Sequence, residues 1–319
     1  MFMKKIVIFG GGSGLSQLLK GIKQFPIDIT AVVTVCDNGR STGLLRKEMH
    51  IPAVGDITKV MLSMADTNQD IIDLMNYRFT KSKSLGIHSV KNLLMTGLLD
   101  LKGSFAEALP VMEKLLDVKG TILPLTEDNI NLVGITSDGK KIVGEEQITK
   151  CAHKIVRVEY DRDWTVNPKV IKAVQDADLV IFSAGSLLTS ISPHLVDKEL
   201  VKKINNSKAK KMYICNLFTQ PGETDGFTVA NHIDYLEKYL GKDNIDVVIA
   251  NNVVMSSKLA AKYATEEQKD PVILDMDEFK DKKTYVIADK LFVVEDGMYR
   301  HDALKTGYLI FSYLMDGEK

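Results

Sequence analysis

The stretch Lys4-Lys5-Ile6-Val7-Ile8-Phe9-Gly10-Gly11-Gly12-Ser13-Gly14-Leu15 decides the fold. Ile6 to Phe9 form an unbroken apolar run, as expected of a strand buried on both faces. Glycines follow, and then Leu15, Leu18, Leu19 and Ile22 recur at helical spacing. A strand that turns sharply into a helix presents free backbone N–H groups and the positive end of a dipole. Glycine lets an anion approach where a Cβ would block it. The opening therefore predicts a phosphate or pyrophosphate cradle, with Gly10, Gly11, Gly12, Ser13 and Gly14 as ligand-binding candidates.

Working outward, Asp28 to Val35 reads as a second buried strand ending at Cys36-Asp37. Strand, helix and strand in this spacing make a βαβ unit with parallel strands. Asp37 to Asp56 is long and irregular, and it lies after a strand's carboxyl end, where open α/β sheets bind ligands. From Ile57 to about Val118 the pattern is helical, with Ile57, Val60, Met61 and Met64 on one face. Ile71, Leu74 and Met75 form a second stripe and Leu93, Leu94, Leu98 and Leu101 a third; the methionines read as core. Gly86 to Asn92 is a polar loop opening a helix, with Ser89 placed to cap it. The runs Thr121 to Leu125, Ile130 to Thr136, Lys141 to Val143 and Lys154 to Tyr160 are strand-like, and Ser137-Asp138-Gly139-Lys140 signals a hairpin. They predict a small antiparallel insertion at about 119–160, serving as structure, dimer surface or lid. Alternation then resumes: a helix near Pro168 to Asp176, strands at Asp178 to Phe182, Lys211 to Cys215 and Ile245 to Ala250, short strands near Val272 to Leu274 and Leu291 to Val294, and a closing helix from about Asp302. The expected fold is α/β, a mostly parallel sheet flanked by helices in a single domain over 1–319. Its informative loops gather on one sheet edge.

Composition narrows the classes of function. The 319 residues are 45% hydrophobic and 26% charged, with 41 basic against 42 acidic side chains, so bulk attraction to nucleic acid or to an anionic membrane is not indicated. The 3 cysteines (Cys36, Cys151, Cys215) are scattered, which fits a reducing, cytoplasmic setting. Met1-Phe2-Met3-Lys4-Lys5 leads into an apolar run too short for a signal-peptide core, and no stretch approaches the ~20 residues of a membrane span. The 6 histidines are dispersed, without zinc-ligand spacing.

The motifs exclude more than they assign. The glycines fail G-x-G-x-x-G, because Leu15 or Gln17 stands where the third is required, so an NAD-binding reading rests only on Asp37 at the end of the second strand. No G-x-x-x-x-G-K-[ST] occurs, and Ser186 is not in a hydrolase elbow. Asp37 and Asp56 are compatible with a Mg²⁺ shared with ligand phosphates, and they are the two catalytic candidates. Gly185, Ser186, Thr189 and Ser190 follow a buried strand, where small and hydroxyl side chains admit and hold a diphosphate. Tyr263 offers a ring to a base, and Arg300 a partner to phosphate or carboxylate.

Taken jointly, Gly10 to Ser16, Val33 to Gly43, Gly55-Asp56-Ile57, His88-Ser89 with Asn92-Leu93-Leu94, Gly185 to Ile191, and Cys215-Asn216 with Thr219 to Gly226 resemble the YvcK/CofD-like family, best its YvcK branch of gluconeogenesis factors. The resemblance spans nearly the whole chain, and the Thr219 to Gly226 piece is its most specific part. It implies a Rossmann-like fold, a cytoplasmic protein needed for normal cell shape on gluconeogenic carbon sources, and binding of the nucleotide sugar UDP-N-acetylglucosamine. It places Ser41, Thr42, His88, Asn92, Asn216 and Gln220 in the ligand site beside the residues above, and puts Tyr263 and Arg300 where that ligand is contacted. The partner classes expected are a second copy of the chain, in a homodimer, and cell-envelope synthesis proteins. The sister branch is a Mg²⁺-dependent 2-phospho-L-lactate transferase acting on a guanylyl-lactyl donor and a deazaflavin, which is the alternative reading. This chain departs from the family pattern at Asn38, Arg40, Ala53-Val54, Thr58-Lys59, Lys91 and Ala184. Asn38 in place of a second acid weighs against the transferase, and Arg40 can neutralise phosphate charge or obstruct a ligand.

Overall fold

The computed structural model describes residues 3–151, 153–257, 261, 263–295 and 297–316; Met1 and Phe2 of the amino-terminal reading lie outside them. The predicted βαβ start is present as β1 (Lys4–Gly10), α1 (Gly12–Ile22) and β2 (Ile27–Val33). β1 pairs parallel with β2, Ile6 opposite Ile29 and Gly10 opposite Val33. With β3 (Thr121–Pro124), β7 (Leu179–Phe182), β8 (Lys210–Ile214), β9 (Val247–Asn251) and β10 (Tyr285–Asp289) they form a seven-stranded sheet in the order β10-β9-β8-β7-β1-β2-β3. Every pairing within it is parallel.

Alternation along β1 explains the two hydrophobic layers. Ile6 and Ile8 enter the core beneath α1, α3 (Gly55–Met64), α5 (Val90–Lys102) and α6 (Phe105–Leu116), while Val7 and Phe9 enter the opposite core with α8 (Pro168–Asp176), α10 (Lys198–Asn206) and α11 (Val229–Leu240). Burial on both faces is why the run carries no polar alternation. Further helices are α2 (Arg40–Met49), α4 (Gln69–Asn76), α7 (Glu145–Thr149) and α9 (Ser192–Leu195), and a last helix runs from Ala303 to Asp316.

The antiparallel insertion is narrower than expected. It consists of β4 (Leu132–Thr136), β5 (Lys141–Val143) and β6 (Ile155–Tyr160), in the order β5-β4-β6, with α7 between. The run at Thr121 belongs instead to the main sheet, parallel to β2 at its edge, where Pro124 lacks a donor at little cost. A second hairpin, β11 (Phe292–Glu295) with β12 (Met298–His301), precedes the last helix. Val272 to Leu274 forms no strand; it lies alongside as a loop, Val272 N–H donating to Leu217 O at 3.0 Å. Two expected stripe residues face solvent, Leu74 at 51% and Leu101 at 76% exposure, and Leu99 is the buried member of that turn. Ser89 stands at the N-cap of α5 but makes no capping bond.

Candidate functional site

The loops after β1, β2, β7 and β8 meet at one sheet edge, and β1 and β7 are neighbours there. On one side of them the chain runs β1-β2-β3, and on the other β7-β8-β9-β10. That reversal is the topological switch point where open α/β sheets bind ligands.

The glycine loop splits its work. A Cβ on Gly14 would lie 1.9 Å from Ala184 O, and one on Gly10 2.1 Å from Ser183 Oγ, so these two let α1 lie against the loop after β7. His194, fully buried, donates from Nε2 to Gly10 O at 3.0 Å and fixes the end of β1. Gly11 and Gly12 face a carboxylate: a Cβ on Gly11 would sit 3.0 Å from Asp56 Oδ2. Gly12, at φ +58°, donates its amide to Asp56. Burial, then the neighbouring Asp37, pushes the Asp56 carboxyl up to about 6. Ser13 Oγ accepts from Lys59 Nζ at 2.6 Å.

Asp37 ends the second strand's extension and turns the chain, its Oδ1 accepting from Gly39 N–H at 2.8 Å. Asn38 points the other way: its Nδ2 donates to Gln147 at 2.8 Å and its Oδ1 accepts from Glu146 N–H at 2.9 Å, pinning α7 of the insertion. Arg46, almost fully buried, straps the turn by donating to the carbonyls of Cys36, Asp37 and Ile130 and to the side chains of Asn129 and Asn131.

The loop after β7 is held from β8. Asn216 accepts from Gly185 N–H and donates to Gly185 O, both at 2.8 Å, so its amide is spent on positioning. Ser186 Oγ accepts from Thr189 N–H at 2.9 Å and donates to Glu223 Oε2 at 2.7 Å, while Leu188 N–H donates to Oε1 at 3.1 Å. With its amide nitrogen toward them, Gln220 lies 3.1 Å from both Glu223 oxygens. Burial pushes Glu223 up to about 7. Opposite it, Glu145 of α7 bonds the Thr189 side chain and is pushed up to about 8, by burial first and then by Asp56 and Asp37.

Two adjoining hollows of about 480 Å³ and 280 Å³ run along this edge and share Ser13, Gly14, Gly185, Gln220 and Lys269. The larger holds Glu145, Ser186, Thr189, Ser190 and Glu223; the smaller ends at Phe218, Tyr263 and Arg300. The Tyr263 ring is buried and stacked on Phe218 at 4.3 Å between centroids, and its hydroxyl accepts from Tyr299 N–H at 2.9 Å. One ring face is therefore already covered. Arg300 Nε lies 3.6 Å from Glu295, on the exposed hairpin.

Ser41, Thr42, His88 and Asn92 gather elsewhere. Ser41, Thr42 and Asn92 line a separate cleft of about 570 Å³ between α2, α3 and α5, with Asp37 and Asp56 at its boundary. Thr58 Oγ1 donates to Asn92 Oδ1 at 2.8 Å, Asn92 Nδ2 donates to Ser41 Oγ at 3.2 Å, and Ser41 Oγ is 3.0 Å from His88 Nδ1. Asp37 and Asp56 are the residues that would hold a Mg²⁺, an ion that takes one or two carboxylates and completes its shell from phosphate and water. Among the described residues no group of 3 or more His, Cys, Asp or Glu side chains is arranged to hold a metal. None of the described helices is long and apolar enough to cross a membrane.

The model of the family described as "2-phospho-L-lactate transferase CofD" matches residues 6–292. The chain belongs to the CofD family. Among its relatives, the "Gluconeogenesis factor" of Halalkalibacterium halodurans is 38% identical over 311 residues, covering 97% of this chain and 96% of that one. The "Gluconeogenesis factor" of Bacillus subtilis is 37% identical, covering 98% of each. The crystal structure of a Bacillus halodurans protein superposes with a TM-score of 0.93 at 37% identity, over 97% of this chain and all of that one. The sequence motifs did not point to Glu145, Arg46 or Lys59. Glu145 sits in an insertion without a motif, and Arg46 and Lys59 are single cations on helices whose targets are distant in sequence.

Proposed function

We propose that this gluconeogenesis-factor relative binds a nucleotide sugar of the UDP-N-acetylglucosamine kind and acts as a regulatory factor for cell shape and cell-envelope homeostasis during gluconeogenic growth. The observation that carries the reading is the continuous groove at the switch point. It has aromatic and guanidinium groups at one end, glycines, hydroxyls and the α1 N-terminus in the middle, and carboxyl groups at the other. Those chemistries suit a base, a diphosphate and a sugar hydroxyl cluster in that order. The base would lie against the Phe218–Tyr263 edge with Arg300 on a phosphate. Thermal-shift titration tests this: UDP-N-acetylglucosamine raises the melting temperature saturably, and Arg300→Ala weakens the ligand by about tenfold, as loss of a charge-assisted contact does. No shift with any uridine nucleotide at millimolar concentration overturns it.

A second reading, a Mg²⁺-dependent phospholactate transferase, is favoured by one finding. Asn38 is turned into the insertion, so the missing second acid removes nothing from the Asp37 and Asp56 pair. Product from a guanylyl-lactyl donor and a deazaflavin, abolished in Asp37→Ala, would establish it; absence of product with wild type would dismiss it.

A further inference from the structure

The 41 basic and 42 acidic side chains balance over the whole chain but not along it. Between Asp73 and Asp100 no acidic residue occurs, while Arg78, Lys81, Lys83 and Lys91 do. The loop from α4 to α5, Tyr77-Arg78-Phe79-Thr80-Lys81-Ser82-Lys83-Ser84-Leu85, interleaves its cations with aromatic and aliphatic side chains. Tyr77 is 47% exposed, Phe79 37% and Leu85 44%, and Leu74, one turn earlier on α4, is 51% exposed. None of these four belongs to a hydrophobic core, although Ile71, Ile72 and Val90 close by in sequence pack against one. The rings of Tyr77 and Phe79 meet edge to face, 5.3 Å between centroids. Lys81 and Lys83 are exposed, and among the described residues neither pairs with a carboxylate.

Backbone hydrogen bonds close this loop on itself. Val90 N–H donates to Tyr77 O at 3.1 Å, and Ser82 N–H to Phe79 O at 2.9 Å. Gly86 N–H donates to Ser82 O and His88 N–H to Leu85 O, both at 3.0 Å. The Arg78 guanidinium donates to Ile87 O across the base of the loop. A loop closed in this way presents its side chains before a partner arrives, which lowers the entropic cost of binding.

The side chains describe the partner. Cations call for an anionic surface, and rings and leucines beside them call for an apolar layer just beneath it. A protein partner fits this poorly, because protein interfaces gather aromatic residues but are depleted of lysine. An anionic bilayer supplies both layers, with phosphates at the depth of the lysine head groups and acyl chains below. Aromatic rings favour that boundary.

We infer that the loop between α4 and α5 is a docking surface for anionic lipid bilayers. Lys81 and Lys83 meet the phospholipid head groups, while Leu74, Tyr77, Phe79 and Leu85 enter the interface. The association is peripheral and reversible, since one short loop offers far less apolar surface than a spanning helix. It does not depend on what the groove binds: Tyr77, Phe79, Lys81 and Lys83 line neither its hollows nor the cleft between α2, α3 and α5.

The test is co-sedimentation of the full chain with vesicles at low ionic strength in EDTA. Vesicles of equal parts phosphatidylglycerol and phosphatidylcholine are compared with vesicles of phosphatidylcholine alone. Wild type binds the anionic vesicles saturably and the neutral ones not at all, and added salt releases it. Lys81→Gln with Lys83→Gln weakens the partition by about thirtyfold, as loss of two such charges does. Tyr77→Ala with Phe79→Ala weakens it by about tenfold with the charge unaltered. Circular dichroism verifies the fold of both variants. Each responds to UDP-N-acetylglucosamine as wild type does, so failure of the nucleotide-sugar reading and failure of this one are separately visible. The inference is overturned by no binding of wild type to the anionic vesicles, by equal binding to the neutral ones, or by binding indifferent to both double variants. Dependence on the lysines alone would also overturn it, since the loop would then be a contact for a soluble polyanion rather than for a bilayer.

Discussion

At the scale of single residues the groove poses a charge problem: it offers Glu145 and Glu223 to a ligand proposed to carry phosphates. Their environment resolves it. Burial holds Glu223 up to about 7 and Glu145 up to about 8, so near neutral pH much of the population carries a proton and donates a hydrogen bond rather than repelling. Both values stand above the ordinary carboxylate range, so the folding stability they contribute is complete below that range and is lost as pH rises through 7 and 8. The proposed affinity for a nucleotide sugar should follow the same direction. Between about pH 6 and about pH 9 it should fall roughly tenfold, and Glu145→Gln with Glu223→Gln, which keep neutral donors, should flatten the profile. A wild-type profile as flat as the double variant's would refute the role of these protons. His194 titrates in the opposite sense. Burial holds it down to about 4, so its contribution is complete above the usual imidazole value and is lost as pH falls from there toward 4. These shifts were illegible in the sequence because burial comes from partners far along the chain. Asn216 and Ser186 stood out in the sequence as candidates, and their hydrogen bonds show them shaping the loop after β7.

At the scale of elements, the sequence disclosed strands and helices wherever periodicity reports burial, and it failed where pairing decides. The run at Thr121 has the same β-branched, apolar character as its neighbours in sequence. Only its register against Thr30 to Val33 places it in the main sheet rather than in the insertion. Arg46 shows the same limit. On α2 it reads as one basic residue in a polar last turn, but folded it joins α2, the turn at Asp37 and the segment at Asn129 to Asn131 that leads into β4. Arg46→Ala would strand three carbonyl acceptors and two side-chain acceptors around an emptied buried position. The expected cost is about 2–4 kcal/mol in a urea melt, with Arg46→Lys recovering only part because one ammonium cannot reach all five partners. A loss under about 0.5 kcal/mol would mean the strap is replaceable by water.

At the scale of the whole molecule, the parallel order of the sheet makes the site a joint product of both halves. The glycine loop after β1 and the Ser186 loop after β7 have no common side-chain motif. They meet because β1 and β7 are adjacent, with the chain leaving in opposite directions on either side. A ligand seated across that junction must order backbone from both loops, whereas one held by the glycine loop alone would order only the first. Hydrogen–deuterium exchange distinguishes the two arrangements. With UDP-N-acetylglucosamine the amides of residues 12–14 and those of residues 186–190 should slow together, and the β11–β12 hairpin carrying Arg300 should slow with them. The outer hairpin of β4 and β5, whose turn at Ser137 to Lys140 lies beyond the groove lining, should exchange as before. Protection confined to residues 12–14 would reduce the switch-point site to a single phosphate loop. Protection of residues 40–42 and 89–92 instead would move the nucleotide sugar into the cleft between α2, α3 and α5, which those helix starts line.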